Sequence, residues 1–509
     1  MTKINKHIKK EIYLFYQKLR DVLYFTGEDK NIDFYISSLT EYNPFYTTED
    51  IAQWLLSINK QQPFCITQIP LEELDKWSFN EKTGDLEQDS GGFFKIRGLQ
   101  VETNWGNISS WSQPIIHQPE IGILGIITKK INGILYFLLQ AKAEPGNINT
   151  YQFSPTVQAT RSNYLQLHGG KSTLYLEYFI DHLKSEILID QLQSEQGARF
   201  YQKRNRNIII RLPDDYDLEI GHNHRWMTLG QISKLGQKDN TVNMDTRSLI
   251  SSICYEPENV TSKKSIDEDE LTKILNDFLL LSKSKSSFSA KLMVSSFSNS
   301  KALYTFDEIL KKIAKRKFEC DLNVQLIPLN NVEKWIQTPR EIYHPEKNFF
   351  TIIGVRIESM NREVLSWDQP IIKQDYPGIV GFIVKEIYGS LHFLTQLKME
   401  CGVMDLLEIA PTVQCITSNY EEDRLPPFVD DLLHRKRSVT IVDVLQSEEG
   451  GRFYNECNPN IILMADDSFS IEEPPNFLWM TMYQLKEFNK FNNSINVEAR
   501  SLMSCMTMI

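Results

Sequence analysis

Two segments of the chain carry an amide, a cation and a carboxylate at alternating positions. Successive side chains of a β-strand point to opposite faces, so residues two apart share one face. A carboxylate there could act as a general base and an ammonium could stabilise an oxyanion, although a solvated sheet face has the same composition. A polar cavity is favoured because both segments keep these residue types while their neighbours differ. The residues are Gln140, Lys142 and Glu144, and Gln396, Lys398 and Glu400.

A second recurring motif combines a Pro-Thr-Val-Gln run with a Ser-Asn-Tyr run a few residues later. Short hydroxyl and amide side chains can bind a phosphate, a ribose or a base edge. The same residue types also cap turns and helices for purely local reasons. The copies comprise residues 155–158 with Ser162, Asn163 and Tyr164, and Pro411, Thr412, Val413 and Gln414 with Ser418, Asn419 and Tyr420.

Aromatic and basic residues recur in the same way. Trp77 and Trp335 each follow an Ile-Pro-Leu run by the same spacing. A tryptophan face can stack on a nucleobase, worth about 1–3 kcal/mol, but a core aromatic is the ordinary alternative. Guanidinium groups suit a diphosphate, with a structural ion pair as the alternative. The recurring arginines are Arg199, Arg452, Arg247 and Arg500.

Three histidines are candidates for acid–base catalysis or metal binding. His168 precedes two glycines and has no histidine counterpart in the second copy. It could be a general acid or base, or an ordinary loop residue. His222 and His224 form an H-x-H pair, which is a weak metal signal because no third ligand follows at a telling spacing.

These matches belong to an internal duplication of the chain. The run Trp-Ser-Gln-Pro-Ile-Ile at 111–116 returns as Trp-Asp-Gln-Pro-Ile-Ile at 367–372, 256 positions later. Towards the end of each copy the offset is 253, which pairs Arg199 with Arg452. The sequence predicts an N-terminal helical extension (1–29), a first module (30–255), a Ser/Lys-rich linker (256–301) and a second module (302–509).

Each module mixes helical and strand patterns, which indicates an α+β or α/β sandwich. Capping signals at residues 48–50 and 305–307 open helices, and runs around 228 and 481 open the last helix of each module. Residues 121–128 and 135–140 predict strands around the turn 132–133, as do 379–384 and 391–396 around 388–389. Further strands are predicted at 207–212 and 460–464, and further helices at 176–192 and 427–433.

The overall composition argues against several classes of function. The chain has 509 residues and a net charge of -11, and broad nucleic-acid binding needs a basic face. No segment has the roughly 18 apolar residues of a membrane span, and no signal peptide is recognisable. Seven scattered cysteines without a C-x-x-C indicate reduced thiols in a cytoplasmic protein. P-loop, G-x-G-x-x-G and G-x-S-x-G motifs are absent from the sequence.

Longer motifs together resemble the NDP-hexose 2,3-dehydratase family, and the similarity covers both modules. They are LQAKAEPGN (139–147), SPTVQATRSNY (154–164), VNMDTRS (242–248), APTVQC (410–415) and LQSEEGGRFY (445–454). The resemblance implies an α+β chain of two tandem Nudix-like α/β/α sandwich modules, a homodimer, and a thymidine-nucleotide site in each module, one of them catalytic. It implies a lyase that removes water across C2–C3 of dTDP-4-keto-6-deoxy-D-glucose in deoxysugar biosynthesis. Because an intact Nudix box is absent from the sequence, we expect no metal-dependent pyrophosphate cleavage.

The chemistry and the repeat suggest roles for the recurring polar residues. We expect Glu144, or its equivalent Glu400, to remove the C3 proton, and Lys142 or Lys398 to stabilise the enolate oxygen. Tyr164, Tyr420 or His168 would protonate the departing hydroxyl. The C4 ketone is the electron sink, so neither a cofactor nor a metal is expected. Which module is catalytic stays open; Arg161 and His168 weakly favour the first, because Thr417 and Arg424 replace them in the second.

The expected substrate-binding residues are spread over both modules. In the first they are Trp77, Gln140, Gln158, Thr160, Arg161, Ser162, Asn163, Ser194, Arg199 and Arg247. In the second they are Trp335, Gln396, Pro411, Thr412, Val413, Gln414, Ser418, Asn419, Arg452 and Arg500. Two other classes stay open: a metal-dependent pyrophosphohydrolase of NDP-sugars, and a nucleotide-sugar sensor that binds without turnover.

Overall fold

The computed structural model describes residues 3–160, 173–181, 185–258, 270–271, 273–274, 287–297, 299–346, 348–360, 364–421 and 424–506. Two matching series of helices and strands follow one another along this part of the chain. The helices are α1 (Lys3–Leu23), α2 (Lys30–Ser38), α3 (Thr48–Gln61), α4 (Glu177–Ile180), α5 (Leu229–Gly236), α6 (Met244–Ser251), α7 (Ser287–Phe297), α8 (Phe306–Glu319), α9 (Val429–His434), α10 (Met482–Asn489) and α11 (Val497–Cys505).

The strands divide into two sets that repeat in the same order. The first half contains β1 (Phe64–Ile69), β2 (Trp77–Phe79), β3 (Leu86–Gln88), β4 (Lys95–Thr103), β5 (Ser110–His117), β6 (Gly122–Ile131), β7 (Ile134–Ala143), β8 (Tyr151–Ser154), β9 (Val157–Ala159), β10 (Glu186–Ser194), β11 (Arg204–Arg211) and β12 (His224–Met227). The second half contains β13 (Leu322–Ile327), β14 (Ile336–Gln337), β15 (Glu341–Tyr343), β16 (Thr351–Ser359), β17 (Ser366–Lys373), β18 (Gly378–Ile387), β19 (Ser390–Lys398), β20 (Glu408–Ala410), β21 (Val413–Ile416), β22 (Ser438–Ser447), β23 (Phe453–Tyr454), β24 (Cys457–Ala465) and β25 (Phe477–Thr481).

Each half contains one large mixed sheet. In the first half the order is β10-β11-β6-β7, with β8 and β12 on β7 and β9 on β6; in the second it is β22-β24-β18-β19, with β20 and β25 on β19 and β21 on β18. β11 runs parallel to β6 and β24 parallel to β18. The central strands are buried nearly throughout, because helices cover the sheets. The predicted mixed α+β fold is confirmed.

The two halves exchange one strand each. β1 pairs with β16 of the second half, Phe64 opposite Ser359, and β13 pairs with β4 of the first half, Leu322 opposite Thr103. Each smaller sheet therefore contains a strand from the other half. This exchange fixes how the two copies lie against each other, because a paired strand satisfies its backbone groups in the partner sheet.

Local sequence accounts for many of the element boundaries. Thr47 and Thr305 cap α3 and α8 with reciprocal capping boxes, one residue from the predicted position in the first case. The turns at Asn132-Gly133 and Tyr388-Gly389 have positive φ at both residues, as a two-residue hairpin turn requires. The helix predicted at 176–192 is wrong. Only α4 forms there among the described residues, and 186–194 become β10, because their apolar residues pair with β11.

Residues 287–297 lie within the predicted linker and form α7. Ser295 Oγ donates to Leu391 O and accepts from Met482 N, the same contacts that Ser37 of α2 makes with Leu135 and Leu229. The predicted linker thus includes a helix of the repeat. Among the described residues, no helix combines the length and apolar character that crossing a membrane requires.

Candidate active site

The end of β7 carries the alternating polar residues. Lys142 Nζ lies 3.8 Å from Glu144 Oε1 and donates to the carbonyl of Gln158 at 3.4 Å. Both side chains are largely buried, with 11% and 5% of their surface exposed. A cation held beside a carboxylate in a poorly solvated site keeps strong electrostatic influence, because little water screens it.

Two successive hydrogen bonds from amide side chains hold the carboxylate of Glu144 in place. Gln158 Nε2 donates to Glu144 Oε1 at 2.7 Å, and Asn243 Nδ2 donates to Gln158 Oε1 at 3.5 Å. Asn243 is itself held as the N-cap of α6, where its side chain accepts from Thr246 N. These hydrogen bonds leave Glu144 Oε2 buried and without a hydrogen bond from the described part of the chain. One lone-pair-bearing oxygen of this carboxylate is thus available for a proton.

The turn after β7 lies directly against the second half. Gly146 N donates to Gly450 O at 2.6 Å, and Asn455 N donates to Gly146 O at 2.8 Å. A Cβ added to Gly146 would lie 1.6 Å from the carbonyl oxygen of Phe453, so only glycine fits here. The close approach brings the loop between β22 and β23 beside Glu144.

A cavity of about 250 Å³ opens at this junction, and both halves line it. Its wall combines carboxylates, cations and amides with aromatic rings. From the first half come Trp77, Gln118, Lys142, Glu144, Gln158, Thr160, Lys203, Asn205 and Asp245; from the second come Trp367, Asp368, Gln369, Glu449 and Arg452. The site is therefore completed by residues of the other copy.

The charges in this cavity perturb one another. Burial raises the pKa of Asp245 well above its usual range, and the nearby charges of Glu449, Glu195 and Glu144 add to the effect. Burial also lowers the pKa of Lys203, whose Nζ donates to the carbonyl of Glu120. Perturbed carboxyl groups of this kind are typical of catalytic sites, because a proton can be held there at neutral pH.

The second half contains an equivalent constellation with one difference. Lys398 Nζ donates to Gln414 O at 2.7 Å, and Gln414 Nε2 donates to Glu400 Oε1 at 3.0 Å. Glu400 Oε2, however, accepts a hydrogen bond from Gly197 N at 3.0 Å. The carboxylate that corresponds to Glu144 is thus occupied at both oxygens.

Comparison with known proteins assigns the chain to a protein family. A family model described as NDP-hexose 2,3-dehydratase matches residues 48–253 and 306–506. The chain belongs to the NDP-hexose 2,3-dehydratase family. The predicted family is confirmed, and with it the expectation of an enzyme of the dehydratase class.

Three relatives of this dehydratase-family chain are named dTDP-4-dehydro-6-deoxy-alpha-D-glucopyranose 2,3-dehydratase. The protein of Saccharopolyspora spinosa is 38% identical over 483 residues, covering 94% of this chain and 95% of the relative. The protein of Amycolatopsis orientalis is 37% identical and covers 90% of both chains. The protein of Streptomyces violaceoruber is 35% identical, covering 90% of this chain and 97% of the relative.

Part of the predicted site is assembled at the cavity. Lys142, Glu144, Gln158, Thr160, Trp77 and Arg452 all line it. Trp77 is buried, its Nε1 donates to Asp368 O at 2.8 Å, and its ring packs on Phe93 and Phe94. The guanidinium of Arg452 lies 4.1 Å from the centre of the Phe94 ring. Gln140 is not among the residues that line this cavity, and its Nε2 donates to Pro155 O at 2.9 Å.

Other predicted residues lie between the two halves rather than in the cavity. Arg247 is fully buried and donates to Ser447 O and Ser501 Oγ. Arg500 mirrors it by donating to Ser194 O and to Ser248 Oγ. These arginines satisfy carbonyl groups of the opposite half.

The remaining second-half residues have mostly local contacts. Thr412 Oγ1 accepts from Ile383 N, and Val413 belongs to the apolar core beside buried Pro411. Ser418 and Asn419 lie in a 3-10 turn followed by exposed Tyr420. The guanidinium of Arg199 lies over the Phe350 ring, and Trp335 packs on the same ring. This arrangement repeats that of Arg452 and Trp77 on Phe94 in the first-half cavity. Gln396 lies on β19. Arg161, Ser162, Asn163, Tyr164 and His168 lie outside the described residues.

Several lining residues were not predicted from the sequence, notably Asp245, Lys203 and Glu449. Retention in both copies does not point to Lys203 or Glu449, because Glu456 and Gln196 occupy the corresponding positions. A difference between the copies at these positions was the available signal. That Glu449 belongs to the first-half cavity is a consequence of the contact between the halves.

Among the described residues, no group of three or more His, Cys, Asp or Glu side chains has an arrangement suited to a metal ion.

Proposed function

We propose that this chain removes water across the C2–C3 bond of dTDP-4-keto-6-deoxy-D-glucose, in deoxysugar biosynthesis, and that the first-half cavity performs the reaction. The names of the three relatives support the substrate. The observation that carries the choice of site is the carboxylate of Glu144, which is fixed through Oε1 while Oε2 has no hydrogen bond from the described residues.

The reaction needs a base beside an oxyanion stabiliser. The C4 ketone acidifies the proton on C3, and Glu144 takes that proton through Oε2, which accepts no hydrogen bond from the described residues. Lys142, 3.8 Å from the same carboxylate, is close enough to stabilise the enolate oxygen that forms at C4. The C2 hydroxyl then leaves from the β position, and the resulting enol tautomerises to the 3,4-diketo-2,6-dideoxy sugar nucleotide. The substrate carbonyl serves as electron sink, so no cofactor enters these steps.

The anionic and aromatic parts of the nucleotide have partners at the same cavity. Arg452 and Lys203 supply two cations for the diphosphate, and the guanidinium fork of Arg452 suits phosphate oxygens. Trp77 offers a ring to thymine, although part of that ring is packed on Phe93 and Phe94. Thr160 and Gln158 supply hydroxyl and amide groups for the sugar.

We extend the proposal to the architecture of the whole molecule. Each large sheet with its covering helices would be a Nudix-like module, supported by the repeated order of strands in the two halves. The Lys398, Glu400 and Gln414 constellation would mark a second nucleotide site without turnover. A homodimer and a cytoplasmic location complete the proposal; the seven free thiols agree with a reducing compartment.

Incubation with dTDP-4-keto-6-deoxy-D-glucose, with and without EDTA, tests this function. We expect mass spectrometry to record the loss of one water from the sugar nucleotide in both conditions. Binding without any mass change would instead indicate a sensor. Release of thymidine monophosphate that EDTA abolishes would indicate a pyrophosphohydrolase.

A further inference from the structure

Glu449 belongs to the second half but lines the cavity of the first half. It lies in the loop between β22 and β23, which the backbone hydrogen bonds of Gly146 hold against the turn after β7. A Cβ added to the neighbouring Gly450 would lie 2.9 Å from Glu144 Cβ, so this loop contacts Glu144 directly. The close packing holds the backbone next to Glu449 against the proposed base.

The carboxyl group of Glu449 accepts no hydrogen bond from the residues that the structure describes, and the side chain remains partly accessible. Two carboxylates and two cations affect the pKa of this carboxyl group. Burial raises the pKa of Glu449 to about 7, with the charges of Glu195 and Glu144 adding to the effect and those of Arg452 and Lys203 opposing it. A carboxyl group in this range can both give and accept a proton at neutral pH.

The second half lacks this carboxyl group at the equivalent position. Gln196 corresponds to Glu449, and its Nε2 donates to Glu448. An amide cannot exchange a proton as a carboxyl group does. The base and the cation therefore recur in both halves, as Glu144 with Lys142 and Glu400 with Lys398, whereas the additional acid occurs in the first-half cavity.

We propose that Glu449 is the general acid that protonates the departing C2 hydroxyl in the first-half cavity. This assignment rests on the dehydration proposed above. Glu144 takes the C3 proton, and the electron pair of the C3–H bond forms the C4 enolate. When the enolate collapses, the C2–O bond breaks, a C2=C3 double bond forms, and Glu449 transfers its proton to the leaving oxygen, so that water departs.

The same two carboxyl groups complete the cycle. After water has left, Glu144 is protonated and Glu449 is ionised. The enol carries its hydroxyl on C3; Glu449 takes that hydroxyl proton while Glu144 protonates C2. The product is then the 3,4-diketo sugar, and both residues return to their starting protonation states. A carboxyl group with a pKa near neutrality suits both directions of transfer.

A leaving group that needs no protonation separates this role from a structural one. The probes are dTDP-4-keto-6-deoxy-D-glucose and its 2-deoxy-2-fluoro analogue, from which fluoride departs as the anion. For Glu449→Gln we expect kcat for water loss to fall by ~100-fold or more, while fluoride release falls by less than ~5-fold. Glu144→Gln should lose both reactions. Glutamine already occupies the equivalent position 196, which favours a folded variant.

The pH profile supplies an independent measurement. Glu449 must be protonated to act, so the wild-type kcat should fall as pH rises above about 7. Glu449→Gln should lack this alkaline limb, and Glu449→Asp should keep it. Calorimetric binding of dTDP, with Kd expected within ~3-fold of wild type, verifies that the variants are folded.

Failure of the Glu449 assignment and failure of the proposed dehydration give different results. A Glu449→Gln variant with near-normal water loss, or with equal losses on both probes, overturns the assignment of Glu449 while the dehydration stands. Wild-type protein that releases neither water nor fluoride overturns the proposed function itself.

Discussion

Gly197 donates its backbone N–H to the Oε2 atom of Glu400 at 3.0 Å. The corresponding oxygen of Glu144 has no hydrogen bond from the described residues, although Gly450, the counterpart of Gly197, packs against the same side chain. The two duplicated carboxylates therefore differ in how their second oxygen is held: Glu400 Oε2 accepts a backbone N–H, whereas Glu144 Oε2 accepts no hydrogen bond from the described residues.

This difference predicts unequal effects of the same substitution. Glu144→Gln should lower kcat by ~100-fold or more, because it removes the base. Glu400→Gln should leave kcat within a few-fold and lower the free energy of unfolding by about 1–2 kcal/mol, because it weakens a buried hydrogen bond. Steady-state kinetics and urea denaturation measure both effects. Near-normal turnover in both variants would remove both residues as candidates for the base.

The duplication made part of this site predictable. Lys142, Glu144 and Gln158 were identifiable because the second copy retains their types, and the hairpin and capping signals located the strands and helices around them. The exchange of β1 and β13 was not predictable, since pairing between distant segments depends on the sheets they meet. For the same reason Glu449 could not be assigned to the first-half cavity. Arg247 and Arg500 recur because each half needs the same buried contact with the other.

Lys203 is predicted to contribute to affinity for the diphosphate. Lys203→Met should raise KM by ~10-fold or more and weaken the salt dependence of binding, because a hydrogen bond to a charged group contributes about 1.5–3 kcal/mol. Glu456→Gln changes the equivalent residue of the second half and is the matched control, with KM expected within a few-fold of wild type. KM for the keto sugar and calorimetric Kd for dTDP provide the measurements. An unchanged Kd in Lys203→Met would remove this residue from the binding site.

The arginines between the halves are predicted to stabilise the fold rather than bind substrate. Arg247→Leu should lower the free energy of unfolding by about 2–4 kcal/mol, because Ser447 O loses its donor in a buried contact. KM of the folded fraction should stay within a few-fold of wild type. Arg500→Leu should behave in the same way because its contacts mirror those of Arg247. A rise in KM without loss of stability would restore the substrate-binding role expected from the sequence.

Glu408 gives the protein a predictable pH dependence of stability. This residue of β20 is buried, and burial raises its pKa to about 8, with Glu400 and Asp405 adding and Ser194 and Arg500 opposing. Because the folded pKa exceeds the ordinary value of 4.5, the folded state binds the proton more tightly than the unfolded state. The contribution of the protonated Glu408 to the free energy of unfolding is therefore complete below about pH 4.5 and is lost as pH rises towards 8. The first half has Gln152 at this position, whose Nε2 donates to Ser447 Oγ at 2.5 Å.

Glu408→Gln should therefore resemble wild type in stability at low pH and exceed it by roughly 2–5 kcal/mol above pH 8. The measurement is the difference in free energy of unfolding between the two proteins, from urea denaturation at pH 5, 7 and 9. Taking the difference cancels the titration of groups that both proteins share. Asp190→Asn removes an exposed carboxylate paired with Arg206 and serves as the control for a surface substitution. A constant difference for Glu408→Gln would mean that Glu408 titrates near its ordinary pKa, because a perturbed group must produce a slope between the two pKa values.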